Sequence, residues 1–235
     1  MLAQAVPSRS ETATPTKNSR QIIVVIAESW NASRGVAYWF DRETHSNWQR
    51  RGGPTPVLIG RAGLAWGRGK FNPADLTGPI KHEGDDKAPA GVFRLGTAFG
   101  YAGNSIATKM PYLKLSTDIV AVDDPASRYY NQLLNRSKVA KPDWRSAENT
   151  ILADNRYQWG VVVLHNVPPV SGAGSCIFLH AWKDSSTATS GCTAMSKNSL
   201  IKLIRWLDPT KDPLLVQLPH SIYNEQRPGW GLPAL

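Results

Sequence analysis

Two short apolar runs decide the fold class, WGVVVL at 159–164 and SCIFLH at 175–180. Both runs are rich in β-branched or aromatic residues, and both end at polar residues. Neither run is as long as a typical helix of a globular protein. The two runs therefore predict a pair of central β-strands.

Weaker signals of the same kind extend to both sides of these runs. Short strands are predicted at 22–27, 35–40, 56–60, 91–95, 112–115, 118–122 and 216–218. A short helix followed by a turn is predicted at 125–139, and a long polar loop at 67–90. Ser196 is a good N-cap, and it precedes apolar residues at helical spacing, namely Leu200, Leu203, Ile204 and Leu207. Many short strands and few helices favour a mainly β fold, a sandwich or barrel with a minor helical part.

The length of 235 residues fits one hydrophobic core. Residues 1–20 are rich in Ser, Thr, Pro and Lys, which predicts a disordered N-terminal tail. Residues 219–235 are rich in Pro and Gly, which predicts a C-terminal tail. One catalytic domain is therefore expected at 21–218.

The chain is strongly basic, with 27 Lys and Arg against 18 Asp and Glu and a net charge of +9. Such a charge favours an acidic partner: nucleic acid, an anionic membrane or a carboxylate-rich polymer. Nucleic acid is disfavoured because the sequence contains no run of five or six Lys or Arg residues. A membrane-spanning segment is not expected, because no apolar run approaches the roughly 20 residues that a spanning helix needs.

The first residues bear on the cellular location. Ala3 and Ala5 resemble the end of a secretory signal just before its cleavage site, so an exported protein is expected. An ordinary cytosolic N-terminus is the alternative. The two cysteines, Cys176 and Cys192, do not decide the compartment, because they permit at most one disulfide.

A histidine and a cysteine stand where catalysis needs them. His180 ends a predicted central strand, and Cys192 follows twelve positions later in a tight polar turn ahead of the helix. A thiol attacks as the thiolate, and a nearby imidazole can take its proton or hold it as an ion pair. Gly191 permits the turn, and the amides of Ser190, Gly191 and Cys192 are candidates for an oxyanion hole.

Three other interpretations of these residues remain open. Cys192 can be a small buried apolar residue beside a structural His180. Cys192 can also form a disulfide with Cys176, which would abolish the nucleophile. Zinc is the third possibility, but the sequence contains neither a Cys-x-x-Cys pair nor a His-Glu-x-x-His motif, so no metal is expected.

Several blocks together resemble the L,D-transpeptidase family, with its YkuD-type catalytic domain. They are GSCIFLH at 174–180, SGCTAMS at 190–196, KHEGDDKAPAGVF at 81–93 and the strand at 159–166. The chain departs from the common family pattern, because Ser190 occupies the place of a second histidine and Ala194 that of an arginine or asparagine. A divergent subgroup is therefore expected.

The resemblance implies a mixed β-sandwich or barrel-like fold with one or two short helices, and a role in cell-wall biogenesis and cell shape. It implies a peptidoglycan L,D-transpeptidase without a cofactor, acting on stem peptides in the periplasm or cell wall. Cys192 would form a thioester, release the terminal D-alanine and pass the acyl group to an amine of another stem, with His180 moving the protons. Carbapenems would acylate the same cysteine. A monomer is expected.

Two alternative functions are compatible with the same residues. Water instead of an amine would make the protein an L,D-carboxypeptidase or an amidase. A chain that kept the fold without a reactive Cys192 would be a non-catalytic wall-binding module. Product analysis separates transfer from hydrolysis, and the reactivity of the thiol separates both enzymes from a binding module.

Four further residues are candidates for substrate binding. Trp182, beside His180, and Trp66, in a glycine-rich loop, are expected to form walls of a groove, unless they are core aromatics. Asn166 and Tyr157 flank a strand that should neighbour His180, and they are expected to bind an amide or carboxylate of the substrate.

The partner that orients the imidazole is left open by the sequence. Asp184 and Ser185 are close to His180 along the chain and could accept a hydrogen bond from its second nitrogen. A backbone carbonyl would serve equally well.

Overall fold

The computed structural model describes residues 14–44, 46–101 and 106–235. Within these residues the chain forms thirteen β-strands and two α-helices. The strands are β1 (Gln21–Ala27), β2 (Arg34–Asp41), β3 (Gln49–Leu58), β4 (Leu64–Trp66), β5 (Ala88–Gly100), β6 (Tyr112–Lys114), β7 (Ile119–Val122), β8 (Gln132–Asn135), β9 (Ala147–Asn149), β10 (Gly160–Val163), β11 (Phe178–Ala181), β12 (Thr193–Met195) and β13 (Leu214–Pro219). The helices are α1 (Lys197–Trp206) and α2 (His220–Trp230).

Most strands belong to one mixed sheet that closes on itself. Its order is β10-β11-β12-β3-β2-β1-β13-β5, and β5 pairs again with β10, while β4 and β6 attach to β5. Closure removes the exposed edges of the sheet. β1 is buried along nearly its whole length between β2 and the parallel strand β13, as its apolar sequence requires. The expectation of a mainly β, barrel-like fold is confirmed.

A separate three-stranded sheet has the order β8-β7-β9, and Ile119 and Ala121 of β7 pack in one apolar cluster with Phe99 and Phe178 of the larger sheet. The helix predicted at 125–139 is wrong, because this segment forms β8 and then a 3₁₀ turn at Arg136–Lys138. Leu134 of β8 pairs with Val120 of β7, so contacts distant in sequence overrode the local helical preference. The chain enters β8 through Asn131, which has a positive φ of 64°, and Asn tolerates this conformation better than most residues.

Helix α1 forms where the sequence predicts it. The Ser196 hydroxyl accepts a hydrogen bond from the Ser199 N–H and caps the helix. Leu200, Leu203 and Ile204 are buried, and the helix packs against β10 and β11. Among the described residues, no helix is both long and apolar enough to cross a membrane.

The two predicted tails are packed against the body of the protein where the structure describes them. Residues 219–235 contain α2, whose Tyr223 is fully buried and whose Trp230 stacks on Phe71 with 4.4 Å between ring centroids. Thr16 is buried as well, and its hydroxyl donates to the Trp230 carbonyl at 2.6 Å. The prediction of tails is therefore wrong for 14–20 and 219–235. In the second segment, Pro228 lies inside α2 and does not prevent the helix. Residues 1–13 lie outside the described residues.

Candidate active site

A cavity of about 610 Å³ lies between the closed sheet and the three-stranded sheet. The closed sheet contributes His180 from β11 and the turn that carries Cys192. The three-stranded sheet contributes Asp123, directly after β7, and Glu148 from β9. The remaining lining residues come from connecting segments and are Arg61, Glu83, Arg156, Tyr157, Ser175, Cys176, Ile177, Thr187, Ala188, Thr189, Ser190 and Gly191.

The turn before Cys192 is held by one side chain that the sequence analysis missed. The Thr189 hydroxyl donates to the Cys192 carbonyl at 2.6 Å and accepts from the Gly191 N–H at 3.1 Å. At Gly191 a Cβ atom would lie only 3.2 Å from the Lys87 carbonyl oxygen and 3.3 Å from the Ile177 side chain. The close approach of the neighbouring segments therefore favours glycine beside Cys192.

The Cys192 sulfur is buried at the cavity and bound by backbone. Its Sγ accepts a hydrogen bond from the Phe178 N–H at 3.3 Å. Burial, with a smaller contribution from the Glu148 carboxylate, raises the pKa of the Cys192 thiol to about 12, although the Phe178 N–H opposes the rise. Cys192 is thus a neutral thiol at neutral pH, and it and Cys176 are both free cysteines in the structure.

His180 is held in one tautomer by the backbone. Its Nδ1 lies 2.7 Å from the Ala181 carbonyl oxygen. Because a carbonyl can only accept, Nδ1 carries the hydrogen and Nε2 of the neutral ring is left as a proton acceptor. Burial lowers the pKa of His180 to about 4, so the ring is neutral at neutral pH. The Ala181 carbonyl therefore orients the ring. Asp184 does not, because its carboxylate accepts hydrogen bonds from the turn that follows it.

His180 lies in β11, and Cys192 lies directly before the neighbouring strand β12. Thr193, directly after Cys192, pairs with Leu179 in the parallel ladder of β12 and β11. Sγ accepts from the backbone N–H of Phe178, its thiol lies 3.7 Å from the Cys176 carbonyl oxygen, and the Cys192 and His180 side chains line the same cavity. A neutral thiol and a neutral imidazole acceptor at one cavity can perform general-base nucleophilic attack on a carbonyl carbon.

The candidate oxyanion hole is smaller than the sequence predicts. The Gly191 N–H is already bound to Thr189, so it is not available to an oxyanion. The N–H groups of Ser190 and Cys192 have no protein acceptor within the described part of the chain. The Ser190 hydroxyl accepts a hydrogen bond from Arg61, which fixes a side chain where the common family pattern has histidine.

Tyr157 is the one predicted substrate-binding residue that lines the cavity. Its ring meets the His180 ring edge-on, with 5.2 Å between centroids, and also packs edge-on against Phe178. Its hydroxyl donates to Glu148 at 2.8 Å. Tyr157 thus connects the imidazole with the three-stranded sheet.

The other three predicted substrate-binding residues lie outside the cavity lining. Trp66 is buried in the core, 5.1 Å from the Trp30 ring, and donates to the Thr77 carbonyl. Asn166 is fully buried, and its side-chain amide binds backbone groups of the loop that follows it. Trp182 is partly buried and follows β11. The first two side chains therefore have structural partners in place of a ligand.

Several residues at the cavity were absent from the sequence prediction. Glu83, Asp123 and Glu148 are the acidic ones, and Arg61 and Arg156 the basic ones. Glu83 falls inside the family-like block at 81–93, which was one available signal. Asp123 and Glu148 had no signal in the sequence, because only the three-stranded sheet brings them to the cavity.

The neutral resting state predicts how the thiol responds to pH. Because the pKa of Cys192 is raised to about 12, its alkylation by iodoacetamide should accelerate about tenfold per pH unit from neutral to strongly alkaline pH. Peptide mapping by mass spectrometry measures the rate at Cys192. In the denatured protein the rate should level off near the ordinary thiol pKa of about 8.5. A plateau already at neutral pH in the folded protein would indicate a thiolate–imidazolium pair instead.

Comparison with known proteins agrees with this geometry. Among curated proteins, none matches the chain. Residues 30–216 match the family model of the L,D-transpeptidase catalytic domain, YkuD. This range is more than half of the 235 residues and includes His180, Cys192 and the acidic side chains of the cavity. The chain therefore belongs to the L,D-transpeptidase family.

Proposed function

We propose that the protein cross-links peptidoglycan stem peptides through a thioester on Cys192, in the periplasm or cell wall. One observation carries the proposal: Cys192 and His180 lie at one cavity, and the Ala181 carbonyl leaves Nε2 of the imidazole as the proton acceptor. Family membership supplies the class of substrate. The net charge of +9 suits a carboxylate-rich polymer, and added salt should weaken its binding.

In the first half-reaction the donor stem enters the cavity. Nε2 of His180 takes the proton of Cys192 as Sγ attacks the carbonyl carbon of the donor, and the N–H groups of Ser190 and Cys192 receive the negative oxygen. The amide bond to the terminal D-alanine breaks, and the imidazolium returns the proton to the leaving amine. The products are a thioester and free D-alanine.

In the second half-reaction an amine of another stem attacks the thioester. A new amide bond forms, the bond to sulfur breaks, and the Cys192 thiol is restored. The Phe178 N–H, 3.3 Å from Sγ, stabilises the sulfur whenever it carries negative charge. We propose Tyr157 as a wall of the donor site, because it packs against His180.

Product analysis tests this function. Purified protein is incubated with a disaccharide tetrapeptide, and the products are separated by liquid chromatography and identified by mass. Cross-linked dimers together with free D-alanine are expected, and prior treatment with a carbapenem should abolish both. Trimmed monomers without dimers would favour a carboxypeptidase. An unchanged tetrapeptide would favour a non-catalytic wall-binding module.

A further inference from the structure

The closed sheet gives the segment around Cys192 only partial support. On the β3 side the ladder of β12 begins at Ala194, and the preceding contact is an isolated bridge between Thr189 and Gly60. In the described structure, residues 190–193 have no ladder partner in β3. Because β12 itself has only three residues, backbone pairing alone does little to fix the position of Cys192.

A buried side-chain amide supports this segment from within the barrel. Gln217 lies in β13, and the sheet order places three strands between β13 and β12. Its side chain is fully buried, and its Oε1 accepts a hydrogen bond from the Thr193 hydroxyl at 2.7 Å. Thr193 is also buried and directly follows Cys192. Since β12 and β13 are not sheet neighbours, this hydrogen bond crosses the interior of the closed sheet.

The other end of the same amide is also bound. Nε2 of Gln217 donates to the Pro89 carbonyl at 3.0 Å. Because a carbonyl can only accept, this contact identifies the nitrogen end of the amide and leaves Oε1 for the Thr193 hydroxyl. We call the Thr193 hydroxyl, the Gln217 amide and the Pro89 carbonyl the brace.

The stretch of chain that anchors the brace also contacts the residue before Cys192. A Cβ atom at Gly191 would lie only 3.2 Å from the Lys87 carbonyl oxygen, so the two backbones are close together. Lys87 stands two residues before Pro89. The same short stretch therefore packs against the residue before Cys192 and is connected, through Gln217, to the residue after it.

The brace occupies a place where the fold itself requires no polar group. Every residue of β13 is buried, and burying an amide is costly unless it is hydrogen-bonded. Hydrogen bonds depend on direction as well as distance, whereas apolar contacts do not. A fully paired polar network therefore selects one arrangement of the segments that it connects.

We propose, on the basis of the proposed transpeptidase function, that Gln217 is a positioning residue for Cys192. Through the Thr193 hydroxyl it holds the segment so that Sγ can reach both the donor carbonyl and His180. Neither Gln217 nor Thr193 lines the cavity, so the brace acts on the nucleophile without touching substrate. A displacement of about 1 Å at a reacting group can cost about 10²-fold in rate.

Thr193→Val tests the brace, because valine has the shape of threonine without its hydroxyl. With the disaccharide tetrapeptide as donor, kcat for D-alanine release should fall about 10-fold to 100-fold, while KM should stay within about twofold of the parent value. Acylation of Cys192 by a carbapenem, followed by mass spectrometry, should slow by a similar factor. Thr193→Ser keeps the hydroxyl and should restore most of the lost kcat.

A double variant separates positioning from stability. In Thr193→Val the buried Oε1 of Gln217 loses its donor, so the midpoint of urea unfolding should fall. Thr193→Val/Gln217→Met leaves no unpaired side-chain polar atom in the brace, so its midpoint should lie above that of Thr193→Val. This variant also covers the case in which the single variant fails to fold. Its kcat should still be at least about tenfold below the parent value.

The matched control is Thr16→Val, which removes an equally buried hydroxyl outside the cavity lining. The Thr16 hydroxyl donates to the Trp230 carbonyl at 2.6 Å. Its loss should lower the urea midpoint and leave kcat unchanged.

The outcomes separate this inference from the proposed function. If the parent protein releases no D-alanine, the proposed function fails, and carbapenem acylation of Cys192 still tests the brace. A parent protein that is neither active nor acylated would overturn both. An unchanged kcat and acylation rate in Thr193→Val, a kcat that recovers together with stability in the double variant, or an equal loss of kcat in Thr16→Val would overturn Gln217 as a positioning residue.

Discussion

Replacement of Cys192 by alanine should lower D-alanine release from a disaccharide tetrapeptide by at least about 10⁴-fold, the scale on which loss of a catalytic nucleophile acts. The second cysteine at the cavity, Cys176, is half-buried, and its pKa is raised well above the ordinary value for a thiol. Its sulfur points to the Val122 carbonyl at 3.5 Å. Release of D-alanine is measured with an amino-acid oxidase assay.

The matched variant is Cys192→Ser, which keeps an atom that can accept the Phe178 N–H. We expect it to be as inactive as the alanine variant, because a hydroxyl is a far weaker nucleophile than a thiol. Losing the N–H···S bond in the alanine variant should cost only about 1 kcal/mol of unfolding free energy, so circular dichroism should show both variants folded. Substantial D-alanine release by either folded variant would contradict the assignment.

Replacement of His180 by glutamine should lower D-alanine release about 10²-fold to 10⁴-fold, the usual contribution of a general base. The pKa of Cys192 is raised to about 12, so almost no thiolate exists at neutral pH without a base. The imidazole, with a pKa lowered to about 4, is unprotonated over the whole neutral range. In the proposed mechanism the protein therefore depends on His180 at the moment of attack.

The pH profile identifies this role. With His180 present, the rate should vary little between mildly acidic and neutral pH, and it should fall as pH drops through about 4, where the imidazole becomes protonated. In His180→Gln hydroxide must replace the base, so the rate should rise with pH toward the thiol pKa of about 12. Parallel profiles for the parent protein and the variant would show that His180 does not act as the base.

The placement of His180 and Cys192 at one cavity could be predicted because its signals are local. His180 ends an apolar strand, and Cys192 follows Gly191 just before a well-capped helix. The parallel pairing of β11 and β12 then brings these two segments side by side. The strand runs and the Ser196 cap depend on periodicity and capping in the same way, so the main elements of the closed sheet and α1 were also predictable.

The acidic residues of the cavity, Glu83, Asp123 and Glu148, could not be predicted, because they share no pattern along the chain. Asp123 and Glu148 reach the cavity only once the three-stranded sheet has formed. β8 of that sheet lies in a segment whose local preference favoured a helix, and its pairing with β7 decided otherwise. Helix α2 was missed for a related reason, since Pro228 and Gly229 indicated a tail although Tyr223 and Trp230 pack into the core.

The oxyanion hole shows the limit of reasoning from a motif alone. The sequence offers three consecutive amides, at Ser190, Gly191 and Cys192, and does not show which are already bound. Thr189 is an ordinary residue type for a turn. Its hydroxyl nevertheless accepts a hydrogen bond from the Gly191 N–H and donates one to the Cys192 carbonyl. Hydrogen bonds of this kind become visible only with coordinates.

The central claim is that the Cys192 sulfur carries the acyl group during turnover, and acid-quenched mass spectrometry tests it most directly. The protein is mixed with the disaccharide tetrapeptide, quenched within the first turnover and digested for peptide mapping. The predicted result is a mass increase equal to the donor minus D-alanine, on the peptide that contains Cys192. Product formation with an unmodified Cys192 throughout, or the acyl group on Cys176, would contradict the claim.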